Sequence, residues 1–426
     1  MYSFSIFLFS LIVRIAAFFG HTKAKQLAEG QKQVWKQLQE KLKPNELRIW
    51  IHCASVGEFE QGRPLMEDIR SHYPQYKILV TFFSSSGYEL RKNYTGADYV
   101  FYLPYDTRRN AHRFLQLVNP QKIYFIKYEF WRNYLKVIKK RQIPLYLVSA
   151  IFRSEQPFFK WYGGWYRKLL SAFTHFFVQN TLSKELLNGI GYNNVTVTGD
   201  TRFDRVCRIF DQAHLIPVVE QFVNGKQCVV AGSTWAPDEE ILVRFINTKN
   251  HNIKWIIAPH EMHENQICRL IESIKVKTVR YSNFGSAQSS FGSALSSFDS
   301  ALSPEDFQVL IIDNIGLLSS LYRYGTVAYI GGGFGKGIHN TLEAAVYGIP
   351  VLFGPAYKKF REAVDLIELG GAFAIKNWDE FAQHLNNLLN KPDKTSKAGT
   401  IAGNFVNMGR GATNEIVKAT LVAIID

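Results

Sequence analysis

Cysteine is scarce in this chain. Its 426 residues hold four, Cys53, Cys207, Cys228 and Cys268, with no CxxC pair. That excludes a disulfide framework and a structural zinc site, and it fits a reducing compartment. Arginine-rich runs and base-stacking modules are missing as well, which removes the usual signatures of a nucleic-acid binder. Long apolar runs are missing beyond the first twenty residues. What remains is an ordinary globular composition, long enough for two or three domains with their own cores. Charge is its one bias. A formal +14 implies an acidic partner: nucleic acid, an anionic membrane surface or a phosphorylated substrate.

The single apolar run is MYSFSIFLFSLIVRIAAFFG, with Arg14 inside it and no basic region before it. It is therefore a poor secretory signal. About 20 apolar residues span a bilayer, which the run just reaches. Lys23, Lys25, Lys32 and Lys36 follow, as a cytoplasmic flank requires. An uncleaved anchor over residues 1–20 is expected, with a cytoplasmic body. A helix lying in the interface or packed on the protein is the alternative.

Beyond residue 46, β-branched and aromatic runs alternate with amphipathic stretches. RIWIHCA, KILVTFF, DYVFYL, KIYFIKY, PLYLVSA, HFFVQN and VTVTG read as strands of a mostly parallel sheet. The pattern restarts at QCVVAGSTWAPDEE and continues through KWIIAPH, QVLIID, TVAYIGGG and IPVLFGP. Two doubly wound α/β domains are expected, 21–210 and 211–400, meeting near residues 205–226. A helix over 401–426 is expected to pack back on the first. Three near-copies of seven residues, SNFGSAQ, SSFGSAL and SSFDSAL, read as a serine-rich surface insertion over 282–306.

Two stretches carry chemistry. In HCASVGEFE a strand stops and Glu58 and Glu60 appear at once. Acid in a helix's first turn suits the helix dipole, while the carboxyl end of a strand is where open α/β sheets bind ligands. The second stretch is YIGGGFGKGIHNTLEAAVYGIPVLFGP, residues 329–355. Its glycines let backbone approach a ligand, and a helix starting near Asn340 offers N–H groups to a phosphate. The spacing matches neither a Walker loop nor GxGxxG. Asn340 and Glu343 also fit a capping box, which needs no substrate. His260 and His263 in PHEMHE lack HExxH spacing and a third ligand, so no metal is expected there.

Together these residues resemble the family of 3-deoxy-D-manno-octulosonic acid (Kdo) transferases of lipopolysaccharide synthesis, over nearly the whole chain. HCASVGE matches its H-x-x-SVGE, and YLPYD at 102–106 its YLPYD. Glu129-Phe130-Trp131, VTVTGDTRFD, AGSTW and HNTLEAAVYGIPVLFGP match as well. The resemblance implies a GT-B glycosyltransferase of two Rossmann-like domains facing a cleft, anchored by its N-terminus at the cytoplasmic face of the inner membrane. It would move Kdo from CMP-Kdo to a lipid A precursor of lipid IVA type, inverting the anomeric centre with no bound metal or cofactor. Its partners would be that donor, that phosphorylated acceptor and anionic inner-membrane lipids, not nucleic acid.

Residue by residue, the resemblance puts Glu58 as general base and Arg202 where a lysine stabilises developing charge. Lys127 and Glu129 complete the catalytic candidates. For CMP-Kdo it implies Ser233, Thr234, Pro259, His260, Ile315, Gly316, Leu317, Gly332, Asn340, Thr341, Leu342 and Glu343. The sequence departs from the family at three of these places. Pro259-His260 stands for proline-arginine, Ile315-Gly316-Leu317 for M-G-E, and Lys127 for the first glutamate of E-x-E-L-W. Two other readings stay open: a GT-B enzyme using a UDP-sugar on a lipid-linked or peptidoglycan precursor, and a non-catalytic basic membrane-associated protein.

Overall fold

The computed structural model describes residues 2–248, 253–285 and 303–421. The chain divides into two compact units, Met1–Arg205 with Gly409–Asp426, and Val206–Met408. Most of the serine-rich insertion, residues 286–302, lies outside the described residues. Of its flanks, Ser282–Gly285 form one helical turn and Pro304–Asp306 a 3-10 turn.

The first unit is built on β1 (Arg48–His52), β2 (Lys77–Phe82), β3 (Tyr99–Tyr102), β4 (Pro120–Ile126), β5 (Leu145–Ala150), β6 (His175–Val178) and β7 (Val195–Val197). All pairs are parallel, in the order β3-β2-β1-β4-β5-β6-β7. Every residue of β1 is buried, because helices cover both faces of a parallel sheet and leave no wet side for polar alternation. Side chains still alternate between faces. Ile49 and Ile51 join Phe59, Leu65 and Ile69 of the helix Val56–His72. Trp50 belongs to the other cluster, edge-on to Phe114 and Phe125, its indole N–H donating to Thr81 Oγ1 at 2.8 Å.

The helix Ala412–Leu421 adds Ile416, Val417 and Leu421 to the Ile49 cluster. Tyr124 donates to Thr420 Oγ1 at 2.7 Å, and Lys122 Nζ donates to the Thr420 carbonyl. Asp204 closes the segment's start, accepting from the N–H of Gly411 at 2.6 Å and of Thr413 at 2.7 Å. The crossing to this unit thus comes at Gly409 rather than near 401. The helix before it, Pro392–Met408, stays in the second unit because its glycines seat against backbone. A Cβ on Gly399 would stand 2.1 Å from the Gly348 carbonyl.

The expected membrane-spanning anchor is not confirmed. Helix α1 (Tyr2–Phe18) has 17 residues, about 26 Å of rise against a hydrocarbon core of about 30 Å. Among the described residues no helix is long and apolar enough to cross a membrane. Past Phe18 the chain turns through Gly20 at φ +85° into α2 (Thr22–Lys41). One side of α1 docks on its own unit: Val13 is buried, Phe9 stacks on Phe83, and the Tyr2 hydroxyl donates to Asp106 Oδ2 at 2.5 Å. The other side is a bare apolar stripe of Phe4, Phe7, Leu11, Ile15 and Phe18. The next helix, Val56–His72, is α3.

The second unit repeats the design with β8 (Cys228–Thr234), β9 (Lys254–Pro259), β10 (Thr278–Arg280), β11 (Val309–Ile311), β12 (Val327–Ile330), β13 (Val351–Phe353) and β14 (Ala372–Ala374). The order is β10-β11-β9-β8-β12-β13-β14, again all parallel. Strands β10 and β14 were not expected from the sequence. The first, Thr-Val-Arg, holds a single apolar residue, and the second, Ala-Phe-Ala, has no β-branched one.

Asp204 makes the docking of the C-terminal helix testable. Asp204→Ala leaves three donors, including Thr413 Oγ1, without their acceptor and should cost about 1–3 kcal/mol. Urea unfolding should register that loss, and limited proteolysis should clip the tail first. An unchanged midpoint with a protected tail would refute the role.

Candidate functional site

In the first sheet the strand order reverses between β1 and β4, and in the second it reverses in the same way between β8 and β12. Ligands of open α/β sheets bind at the carboxyl ends of the strands at such points. The chemistry-bearing residues gather at these two places.

In the first unit, β1 ends at His52 and the chain passes Cys53 and Ala54 to Ser55, the N-cap of α3. Ser55 and Glu58 form a capping box: the Ser55 N–H donates to Glu58 Oε2 at 2.9 Å, and the Glu58 N–H to Ser55 Oγ at 3.5 Å. The bland reading of Glu58 is therefore correct as far as it goes. Its carboxyl is nonetheless pushed above the ordinary carboxylate value, by burial first and then by Glu129. His52, the Ser55 N–H and Lys127 oppose that rise without cancelling it. Glu60 is used differently, accepting from Arg91 at 2.8 Å.

The β4 end supplies the partners. Lys127 takes the left-handed region at φ +70°, its N–H still donating to the Val148 carbonyl at 2.9 Å. That kink redirects the chain out of the sheet toward Glu129 and Trp131. Asp106, of the YLPYD stretch, fixes the start of the helix Arg132–Lys140 by accepting the N–H groups of Asn133 and Tyr134 at 3.1 and 3.0 Å. The helix has no side-chain cap of its own, and Asp106 takes that place. Buried Glu129 meets His52 Nε2 at 3.0 Å and accepts the Trp131 indole N–H. The far nitrogen of His52 lies 2.8 Å from Thr81 Oγ1. Neither His52 nor Asp106 was a site candidate from the sequence, although His52 opens HCASVGE and Asp106 closes YLPYD.

Arg202 stands on the first turn after β7, against Asp200. Its Nε donates to Asp200 Oδ2 at 2.9 Å, as Gln61 of α3 does at 3.0 Å. Burial would raise the Asp200 carboxyl, but the Arg202 charge and these hydrogen bonds hold it below its ordinary value. Gln61 lies three residues past Glu58 on α3, so Arg202 reaches the same helix as the cap.

In the second unit, β8 bulges at Ser233, φ +54°. Thr234 Oγ1 then donates to Glu239 at 2.9 Å. Asp238, fully buried, ties this turn to the glycine loop. It accepts from the Trp235 N–H at 2.9 Å, the Gly332 N–H at 2.8 Å and the Tyr329 hydroxyl at 2.7 Å. The loop needs glycine because backbone meets backbone: a Cβ on Gly331 would stand 2.2 Å from the Ser233 carbonyl. Asp238 escaped the sequence reading, hidden among the acids of a helix start.

Trp235, His260 and His339 form a short two-layer column of rings after β8, β9 and β12, with Trp235 and His339 side by side on His260. Trp235 stacks on His260 at 4.6 Å, and His260 on His339 at 4.4 Å. The Trp235 indole N–H donates to His339 Nε2 at 3.1 Å. Since an indole only donates, that nitrogen must be bare and Nδ1 carries the hydrogen. A cavity of about 580 Å³ opens beside the column, lined by Thr234, Trp235, Pro259, Glu261, Arg244 and Arg269 among others.

The remaining donor-site candidates are less regular than expected. The helix after the glycine loop is the single turn Leu342–Ala345, with Thr341 at its N-cap. Asn340 accepts the Leu342 N–H at 3.1 Å and donates to Glu343 at 3.0 Å, a side-chain link in place of the expected capping box. Ile315 is exposed, Gly316 takes φ +99°, and Leu317 precedes the short helix Leu318–Leu321. Among the described residues, no three His, Cys, Asp or Glu side chains group as a metal site would require.

The comparisons with known proteins agree in one direction. The family described as 3-deoxy-D-manno-octulosonic-acid transferase (kdotransferase) matches residues 19–205. The 3-deoxy-D-manno-octulosonic acid transferase of Aquifex aeolicus is 28% identical over 357 residues, 82% of this chain and 88% of its own. That of Haemophilus influenzae is 26% identical over 387 residues, 87% and 85% of the two chains. Among solved structures, UDP-GlcNAc 2-epimerase from Neisseria meningitidis bound to UDP-GlcNAc superimposes with a TM-score of 0.57 at 15% identity. It covers 88% of this chain and 100% of its own, a likeness of fold.

The ring column has a pH signature. Burial, together with the neighbouring His260, lowers His339 from 6.5 to about 4. Between those values the unfolded chain binds a proton that the folded chain refuses. This group's contribution to stability therefore falls as pH drops from 6.5 toward 4. His339→Gln should flatten the dependence of the unfolding midpoint on pH across that window. Identical slopes in both proteins would show that His339 does not carry it.

Proposed function

We infer that this chain, whose residues 19–205 match the Kdo transferase family and whose homology to Kdo transferases covers most of its length, is a glycosyltransferase of lipopolysaccharide synthesis that transfers Kdo. The finer assignments are our reading. We take CMP-Kdo as donor and a phosphorylated lipid A precursor of lipid IVA type as acceptor. Both are anionic, which suits a body of charge +14.

One observation carries the mechanism: Glu58 sits at the switch-point end of β1 with its carboxyl raised by burial and by Glu129. A base works best when its proton affinity approaches the operating pH. In the reaction, an acceptor hydroxyl attacks Kdo C2 and the bond from C2 to the CMP phosphate oxygen breaks. Glu58 takes the hydroxyl proton, and CMP leaves with the electron pair. Attack opposite the leaving group inverts the anomeric centre. The capping box orients this carboxylate through Oε2, leaving Oε1 outside the cap.

Lys127 favours the ionised form of Glu58, and Glu129 is held by His52 and Trp131. Arg202, paired with Asp200, supplies charge stabilisation in a form partly neutralised by its partner. In the second unit we assign donor binding to Ser233, Thr234, Pro259, His260, the Ile315–Leu317 turn, Gly332 and Asn340–Glu343. For localisation, we propose that α1 lies in the plane of the inner membrane's cytoplasmic face. Its apolar stripe and the lysines of α2 support that placement.

Glu58→Gln tests the base. Glutamine at this position still completes a capping box, so folding should survive while transfer falls about 10²–10⁴-fold. Glu60→Gln, which loses only the exchange with Arg91, should stay near wild type in transfer. Turnover by Glu58→Gln within about threefold of wild type, against that scale, would remove Glu58 from the mechanism.

Donor class is tested separately. Mass spectrometry of products from CMP-Kdo and tetra-acylated lipid A precursor should show Kdo addition, inhibited by CMP and not by UDP. Transfer from a UDP-sugar in place of CMP-Kdo would overturn the donor assignment.

A further inference from the structure

The segment Lys160–Lys168, KWYGGWYRK, does no packing with its most conspicuous side chains. Trp161 is 92% exposed and Tyr162 55%, and Trp165 and Tyr166 beside them are exposed too. The loop is nonetheless held in one shape. Phe158 is buried beneath it, and Arg167 donates to the carbonyls of Phe158 and Lys160, both at 2.7 Å. Tyr192 donates to the Arg167 carbonyl at 2.6 Å. Gly163 lies so tightly that a Cβ would meet the Pro157 carbonyl at 2.0 Å. A frame this well tied presents Trp161 and Tyr162 outward as part of its construction.

Two further observations say what would cover them. First, the loop adjoins α1. The Arg132 guanidinium lies 4.8 Å over the Trp165 ring and 5.7 Å over that of Tyr2, the first residue of α1. Second, the surrounding sequence is basic to an extreme. Residues 130–170 contain nine lysines and arginines against a single acid, Glu155. Exposed Lys136, Lys139 and Lys140 come from the helix packed beside the loop. Tryptophan and tyrosine within a field of cations is the chemistry of a bilayer's headgroup layer, where amphipathic rings and positive charge are both favoured. A second copy of this chain would bring the same positive charge and be repelled.

We propose that Lys160–Lys168 is a second membrane-contact element, seating Trp161, Tyr162 and Trp165 at the headgroup level of an anionic phospholipid bilayer. It rests on the reading of α1 as an in-plane helix and adds to it a second point of attachment. A helix fixed along one line is free to roll about that line. Contact at the loop as well fixes the tilt of the first unit on the membrane, and with it the direction from which a lipid reaches Glu58.

The test uses full-length protein and vesicles of phosphatidylcholine mixed with phosphatidylglycerol, some carrying brominated acyl chains that quench tryptophan. Wild type should bind and be quenched. Trp161→Ser with Tyr162→Ser should weaken binding about tenfold at unchanged melting temperature, by removing two interfacial anchors. Trp161→Phe with Trp165→Phe should bind nearly as wild type and lose most of the quenching. Phe4→Ser with Phe7→Ser reads α1 separately.

If the α1 variant weakens binding while the serine loop variant binds like wild type, the loop proposal falls and the in-plane reading of α1 stands. If wild type does not bind, both fall. Equal binding to phosphatidylcholine alone would overturn the role given to charge. A wild-type dimer that the serine variant converts to monomer, with vesicle binding unchanged, would assign the surface to a second copy and overturn the proposal.

Discussion

A parallel strand that ends leaves its successor's backbone N–H groups without a ladder partner, and both units are organised by how that deficit is met. In the first unit, Ser55 and Glu58 close the start of α3, and Asp106 closes the helix Arg132–Lys140. In the second, Asp238 serves the Trp235 and Gly332 N–H groups together. Carboxylates are thus drawn to the switch points by backbone needs before any substrate is considered. The two readings of Glu58 are not rivals. The cap fixes the side chain's direction, and a base is useful only when its direction is fixed.

The charge balance around Glu58 comes from the same crowding. Burial and Glu129 raise its proton affinity, while His52 and Lys127 restrain the rise. A glutamate at position 127, as the family pattern has, would add a like charge and push Glu58 further up. This chain has a lysine there, held in a left-handed turn at φ +70°. Glu58 is therefore held lower than a third carboxylate would set it. The departure alters the tuning of the site and leaves its layout intact.

Much of this was legible in the sequence. All seven strands of the first sheet were, because each lies in a run of β-branched and aromatic residues; β10 and β14 were not, since TVR holds one apolar residue and AFA no β-branched one. The positions of Glu58, Lys127 and Glu129 were readable from motif resemblance. Their mutual influence was not, since it depends on β1 and β4 being neighbours across about 70 residues of chain. Asp238 was invisible because a buried acid and a solvated one look alike in a helix's first turn. The anchor expected over residues 1–20 stays unconfirmed for a plainer reason. Hydropathy counts apolar residues without counting faces, and α1 spends one face on Val13, Phe9 and Tyr2 against its own unit.

The same distinction between charge and geometry bears on the second unit. Where the family pattern has arginine, His260 lies flat against Trp235 and His339, which are joined to each other by a hydrogen bond. His260, 4.4 Å away, opposes protonation of His339, and burial already keeps His339 neutral at physiological pH. An imidazole thus stands at 260 where the pattern has a permanent cation. On the proposed donor assignment, recognition of the anion leans on the cations and dipoles of the glycine loop. Those are Lys336 and Lys359, joined across the loop by a hydrogen bond from Lys359 to the Lys336 carbonyl, and the backbone N–H groups of the glycine turn. Fixed dipoles of that kind need no reorganisation as charge develops on a phosphate. On that assignment, the departure at His260 moves the work of anion binding from a side chain to the backbone that Asp238 holds in place.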